Sequence, residues 1–166
     1  EDLIEQLEPL VEQANGYLHF QQILPFQPVS VGAYTVTALK AFHRTNNPYI
    51  YMICDGDKTM LYGNDTGMLP EETWDYLRDN RVHFDMVSLD CTMGANEHTT
   101  CKVNMHFGQN VECRNRMMEM GIADESTKFV STHFSHNGLN GCYDDFCEIA
   151  TKEGFEVSFD GMEVEF

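Results

Sequence analysis

Apolar side chains recur along this chain in two rhythms. Leu3, Ile4, Leu7, Leu10, Val11 and Ala14 fall on one face at helical spacing, and Gly16 follows. That spacing predicts a first helix, with Gly16 able to end it. Strand-like runs come next, at Tyr17–Leu24, Val29–Phe42, Tyr49–Cys54 and Thr59–Tyr62. Asp55-Gly56, between the last two, predicts a tight hairpin because Gly tolerates positive φ. Pro70 opens a short helix. Glu71 and Glu72 occupy its first turn, where negative charge suits the helix dipole, and Trp74 and Leu77 give it an apolar face. Met86–Cys91 reads as a strand, Gly108 to Met120 as a helix, Lys128–Phe134 as a strand and Tyr143–Thr151 as a helix. In the last stretch Phe155, Val157 and Phe159 alternate with Glu156, Ser158 and Asp160. Asp160-Gly161 turns the chain, and Met162, Val164 and Phe166 alternate again, so a half-buried antiparallel hairpin is predicted. Strands mixed with helices of these lengths predict a layered α/β sandwich, with 1–166 as a single domain.

Composition narrows the partners. The chain has 166 residues with 27 Asp+Glu against 10 Lys+Arg, a formal net charge of -17. That balance disfavours nucleic acid, which needs a basic footprint to displace counterions, and equally disfavours anionic lipid. With 42% hydrophobic and 11% aromatic residues the chain is too apolar for a disordered acidic tail. It contains no apolar run of about 18 residues, so no membrane span is predicted. Six cysteines include no Cys-x-x-Cys pair, which argues against a zinc knuckle, and their spacing suggests no compact disulfide framework. No signal-peptide pattern is visible, so reduced thiols in a cytoplasm are expected. A start at Glu1 rather than Met is expected to reflect a processed or cut terminus.

Of seven histidines, two stand where strands are predicted to end. His43 follows the apolar run Tyr34–Phe42, and His133 follows Lys128–Thr132. Asp65 follows Thr59–Tyr62, inside Gly63-Asn64-Asp65-Thr66-Gly67. In layered α/β proteins such rims are where sites gather. Imidazole and carboxylate together suit zinc, manganese, iron or nickel. Plainer roles stay open: Asn-Asp-Thr-Gly is good turn chemistry, and His133 and His136 can be two edge residues of a loop.

Four segments resemble a known family. Leu61-Tyr62-Gly63-Asn64-Asp65-Thr66-Gly67-Met68-Leu69-Pro70 resembles the strand, Asp-Thr, Gly, Leu-Pro, helix segment of metallo-β-lactamase-fold hydrolases. The branch it looks most like is the carbon–phosphorus lyase pathway phosphodiesterases, which open a phosphoribosyl 1,2-cyclic phosphate. Met86 to Thr92 is similar to that branch's buried strand ending in Asp-Cys. Ser131-Thr132-His133-Phe134-Ser135-His136 is similar to its late Thr-His-x-x-His motif, and Gly154 to Val164 to its terminal hairpin. The four segments come in the family's order.

The resemblance implies roles. His43 matches the histidine that binds a first metal, Asp65 the carboxylate bridging two metals, and His133 the late histidine on the second. His106 matches an active-site histidine that is not a ligand and that handles the leaving group. His136 is implied to touch substrate, with a structural role as its alternative. Asp90 is implied to orient a ligand histidine, with a buried structural Asp as its alternative. The implied cofactors are two divalent metal ions, the implied nucleophile is a metal-activated hydroxide, and the implied substrate is a small cyclic phosphate ester. RNA 3′ ends or lactones are the alternative substrates on the same fold.

One departure matters. The family's His-x-His-x-Asp-His motif, source of four ligands, occurs nowhere in this chain. The chain therefore resembles the C-terminal part of the αββα sandwich, lacking its N-terminal portion. Two His and one Asp are too few to hold two cations. A half-sandwich would also leave an apolar sheet face uncovered, which is an association signal. The expected partner for that face is the N-terminal half of the fold, as a separate chain or as a segment of the same one. Self-association into a homo-oligomer is the other option for the face. A non-catalytic scaffold or binding domain that has lost its metals is the competing function.

Overall fold

The computed structural model describes residues 2–135 and 142–166. Its strands lie in one sheet in the order of the sequence: β1 (Pro28–Val31), β2 (Tyr34–Lys40), β3 (Tyr49–Cys54), β4 (Thr59–Gly63), β5 (Met86–Asp90), β6 (Lys128–Thr132) and β7 (Phe155–Val157). The helices are α1 (Asp2–Gln13), α2 (Glu71–Asp79), α3 (Phe107–Glu119) and α4 (Tyr143–Lys152). β1 to β4 form an antiparallel meander, and β4 to β7 pair in parallel. Parallel neighbours need crossovers, and α2, α3 and α4 supply them. The parallel strands advance across the sheet in one direction. Right-handed crossovers therefore place all three helices on one face.

That face holds the core. Leu39, Ile50, Leu61, Val87, Leu89 and Phe129 from the sheet meet Trp74 and Leu77 of α2, Met117 of α3 and Phe146 and Ala150 of α4. Phe107, Phe146 and Phe155 add edge-to-face pairs at 5.3 Å, an arrangement aromatic quadrupoles favour. Arg116 of α3 lies over the Trp74 ring at 4.4 Å and grips Glu71 with both guanidinium nitrogens. The opposite face is a different surface. Register aligns Ala38, Tyr51, Tyr62, Ser88 and Val130 in one row across it. It is apolar, yet Tyr62 is 45% exposed and Tyr34 52%. Phe166, at the chain's end, shares a shallow hollow there with Tyr34, Ile53 and Met60.

Three expected elements differ. Val29–Phe42 is two strands, because Gly32 at φ 60 turns the chain and Val31 pairs with Tyr34. Tyr17–Leu24 forms no strand; Tyr17 is 94% exposed, and the run has no neighbouring backbone to pair with. The terminal hairpin is absent too. Phe155–Val157 alternates as expected but pairs in parallel with β6, and 162–166 is not a strand. Alternation reports which side chains face a core, not which backbone lies alongside. Here the α4 crossover delivers β7 to β6 before the chain can fold back on itself.

The turn entering β6 gives a pH test. The Ser126 hydroxyl and N–H both donate to Asp124 Oδ1, and His83 Nε2 lies 3.1 Å from Oδ2. These contacts, the Ser126 hydroxyl foremost, lower the Asp124 carboxyl to about 2 from 3.8. A depressed carboxyl stabilises the fold fully above its unfolded value, and that contribution disappears as pH falls from about 4 toward 2. Carboxyl-carbon NMR is expected to show Asp124 titrating near 2 and shifting up toward 3.8 in Ser126→Ala. An unshifted midpoint in the variant would show that the turn does not hold the charge.

Candidate metal centre

Strand direction assembles the site. β2 and β4 each run opposite to β3, and β4, β5 and β6 are parallel, so β2, β4, β5 and β6 all end on one rim. His43, Asp65, Asp90 and His133 sit at those ends or just past them. This is where ligands gather in open α/β sheets.

The loops of the rim are stitched pairwise. Phe42 N–H donates to Thr66 Oγ1 at 3.0 Å, and Gly67 N–H to the Phe42 carbonyl at 2.9 Å. That lock brings His43 Nε2 to 3.1 Å from Asp65 Oδ1. Across the rim, Cys91 N–H donates to the Thr132 carbonyl at 2.7 Å, and Ser135 Oγ to the Thr92 carbonyl at 3.1 Å. Below them a buried chain runs from Ser131 Oγ to Asn110 Oδ1 and from Asn110 Nδ2 to the Asp90 carbonyl, tying α3 to the strand ends.

Asp90 is the fixed point. Its carboxylate is fully buried. Oδ1 accepts from the N–H groups of Thr92 and Met105, and Oδ2 from Thr66 N–H and Asn104 Nδ2. With both oxygens taken by the protein, Asp90 is better suited to orienting neighbours than to binding a cation. Asp65 is its opposite: the side chain is 52% exposed, and among the described residues only Oδ1 is engaged, by His43 and Asn104.

His133 has an assignable tautomer. The Thr92 hydroxyl donates to the His133 carbonyl at 3.0 Å and lies 2.9 Å from Nδ1. A hydroxyl carries one proton, so with that proton donated to the carbonyl Nδ1 is assigned as the donor to Thr92 Oγ1. Asp90 Oδ2, 3.5 Å from Nδ1, favours the same placement. Nε2 is left with a free lone pair, the form in which imidazole ligates metals.

The donor set fits a divalent cation. One ligand atom each of Asp65, Asp90 and His133 lies within 4.8 Å of the others, with Asp90 as the anchor behind the other two rather than as a ligand. The 3.1 Å between His43 Nε2 and Asp65 Oδ1 is close to a tetrahedral ligand edge, about 3.4 Å at usual zinc bond lengths. Asp65 thus has the His43 imidazole in contact and a ligand atom of His133 within 4.8 Å. Both Asp65 and His133 have positive φ, 56° and 61°. Such backbone costs roughly 1–2 kcal/mol per non-Gly residue and clusters at working sites.

Two further candidates are His106 and His136. His106 caps α3, with Nδ1 buried and unpartnered and the ring against Gly108; it is not hydrogen-bonded to the cluster among the described residues. His136 falls outside the described residues. Cys91 adjoins the site, but burial and then the Asp90 charge push its thiol up to about 12, which removes it as a thiolate ligand. The residue that sequence reasoning passed over is Asn104. Its Nδ2 lies 3.0 Å from Asp65 Oδ1 and 2.7 Å from Asp90 Oδ2. The segment carrying it passes so near that a Cβ on Gly67 would stand 2.0 Å from the Lys102 carbonyl oxygen, so only Gly fits at 67.

Solved structures share this architecture. A metallo-β-lactamase fold protein, YhfI from Bacillus subtilis, superposes with a TM-score of 0.58 at 22% identity, over 89% of this chain and 57% of that one. A diphosphatase of the PhnP family gives 0.60 at 14% identity, over 98% of this chain and 56% of its own. CmlA, a diiron β-hydroxylase from Streptomyces venezuelae, gives 0.55 at 12% identity, over 89% of this chain and 34% of its own. No protein-family profile and no curated protein matches the sequence. The chain has the metallo-β-lactamase fold, in a seven-stranded α/β form. It spans little more than half the length of YhfI and of the diphosphatase.

Proposed function

We propose that this chain is the C-terminal part of a metal-dependent hydrolase that opens a small cyclic phosphate ester. The observation that carries the reading is Asp65: an exposed carboxylate in contact with the His43 imidazole and within 4.8 Å of a His133 ligand atom, at a rim the sheet builds from four strand ends. His43, Asp65 and His133 would hold two divalent cations, with zinc, manganese, iron and nickel all suited to these donors. Bound there, the cations supply Lewis acidity and lower the pKa of a nucleophilic water from about 15.7 toward about 7. Asp90 and Thr92 keep the His133 ring turned so that Nε2 faces outward. In this reading His106 gives the departing oxygen its proton, an effect of about 10²–10⁴-fold. His136 completes the reading as a substrate contact. The phosphodiesters of the carbon–phosphorus lyase pathway are the proposed substrate class, supported by the four motif segments and by the PhnP-family neighbour.

Three ligands do not fill two coordination shells, so the reading requires more. We infer that the N-terminal half of the fold, in the same chain or a separate one, supplies the missing histidines and covers the sheet face around Tyr51 and Tyr62. The exposed Tyr17, Phe20 and Tyr62, and the share of the neighbours' length left unmatched, support this. The compartment proposed is the cytoplasm; among the described residues no helix is long and apolar enough to cross a membrane.

Metal analysis tests the reading. Produced together with its N-terminal half, grown with added zinc, manganese or iron and then dialysed, the protein is expected to retain metal, and His133→Ala to lose most of it. Equal content in both proteins would sink the assignment. No metal in either would favour a scaffold domain.

A further inference from the structure

The cluster contains one side chain that no metal-site reading requires. Asn104 comes from the long connection between β5 and α3, yet its carboxamide stands between two carboxylates. We infer that Asn104 is a positioning residue: by holding Oδ1 it fixes the orientation of the Asp65 carboxylate beside His43. The inference rests on the proposed function for what Asp65 does, but not for how Asp65 is held.

The chemistry is specific to a primary amide. Nδ2 carries two protons, splayed so that each can reach a different acceptor. One goes to Asp65 Oδ1 at 3.0 Å and the other to Asp90 Oδ2 at 2.7 Å. The opposite rotamer would turn Oδ1 of the amide against two carboxylates, so the hydrogen-bond network fixes its orientation. Cys101 Sγ, 3.9 Å from Asn104 Oδ1, occupies the amide's other end. A hydroxyl at 104 offers one proton and a carboxylate none. Only an amide satisfies both acceptors while adding no charge.

The arrangement has a rigid end and a loose end. Asp90 is buried and held by three backbone N–H groups. Asp65 is half exposed, and among the described residues its side chain has His43 and Asn104 to hold it. Asn104 therefore passes the fixed position of Asp90 on to Asp65. The Gly67 contact keeps it in reach, because the Lys102 carbonyl rests directly on that glycine. A role confined to stapling the loop would need the Asp90 bond alone. The Asp65 bond is the part it leaves unexplained.

Two measurements decide it. In metal-free, 15N-labelled protein, both Asn104 carboxamide protons are expected to resonate downfield and exchange slowly. Asp65→Ala, which alters an exposed group, is expected to return one proton to the free-amide position and leave the other in place. Two unmoved protons would overturn the inference. In the second measurement Mn²⁺ is titrated into wild type, Asn104→Ala and Asn104→Ser, with circular dichroism to confirm the fold. Outer partners of metal ligands are worth about 10–100-fold in affinity. The Ala variant is expected to lose that much, and the Ser variant, with one donor left, less. Equal affinity in folded Asn104→Ala also overturns it. If wild type binds no Mn²⁺, the metal-site reading fails, and the amide spectrum alone decides whether Asn104 holds Asp65.

Discussion

Asp90→Ala is expected to lose about 3–5 kcal/mol of folding stability, seen as a lower urea midpoint at an unchanged slope. Three backbone N–H groups and the Asn104 amide end on this one carboxylate. Each donor left buried without an acceptor costs roughly 1–3 kcal/mol, and water entering the gap returns part of that. A domain with about 5–15 kcal/mol in total would be brought close to unfolding at room temperature. Asp90→Asn is the finer probe. It keeps the volume but turns one oxygen into a donor, which then faces an N–H; a loss of about 1–3 kcal/mol is expected. If Asp90→Ala unfolds within about 1 kcal/mol of wild type, Asp90 is not the anchor described above.

Asp65 should behave in the opposite way. With the N-terminal half that the proposed function requires, phosphodiesterase turnover on a small cyclic phosphodiester is expected to fall by at least ~100-fold in Asp65→Gly, beyond the about 10–100-fold typical of groups that only orient metal ligands. Stability should stay within about 1 kcal/mol. The side chain is half exposed, and Gly accepts the positive φ that Asp bears at a cost of roughly 1–2 kcal/mol. Activity lost with the fold intact would mark a residue kept in a strained backbone for its chemistry. Turnover within about tenfold of wild type in Asp65→Gly would falsify its role as the shared ligand.

Much of the fold was legible because burial shows in the spacing of side chains. Tyr49–Cys54 is read with the bounds it has in the structure, and Pro70 marks the start of α2. Pairing was not legible. Phe155, Val157 and Phe159 alternate as well for a parallel partner as for an antiparallel one, and only the α4 crossover decides. Tyr17 to Leu24 shows a second limit: an apolar run can stay exposed and form no strand. His43, Asp65 and His133 stood out because ligand types at strand ends attract notice. Asn104 did not, since a neutral amide 39 residues from Asp65 carries neither charge nor motif. The backbone donors to Asp90 had no sequence signal at all, because any residue type supplies an N–H.

The sheet is half meander and half crossover, and the rim draws on both. β1 to β4 bring together residues close in sequence, which forms quickly; β5 and β6 reach their places only after long loops close. His43 belongs to the early part and His133 to the late one. A nascent or half-denatured chain thus displays only fragments of the cluster, too sparse to capture an ion. Ion uptake would serve as a clock for the end of folding, starting only once the last strands have docked.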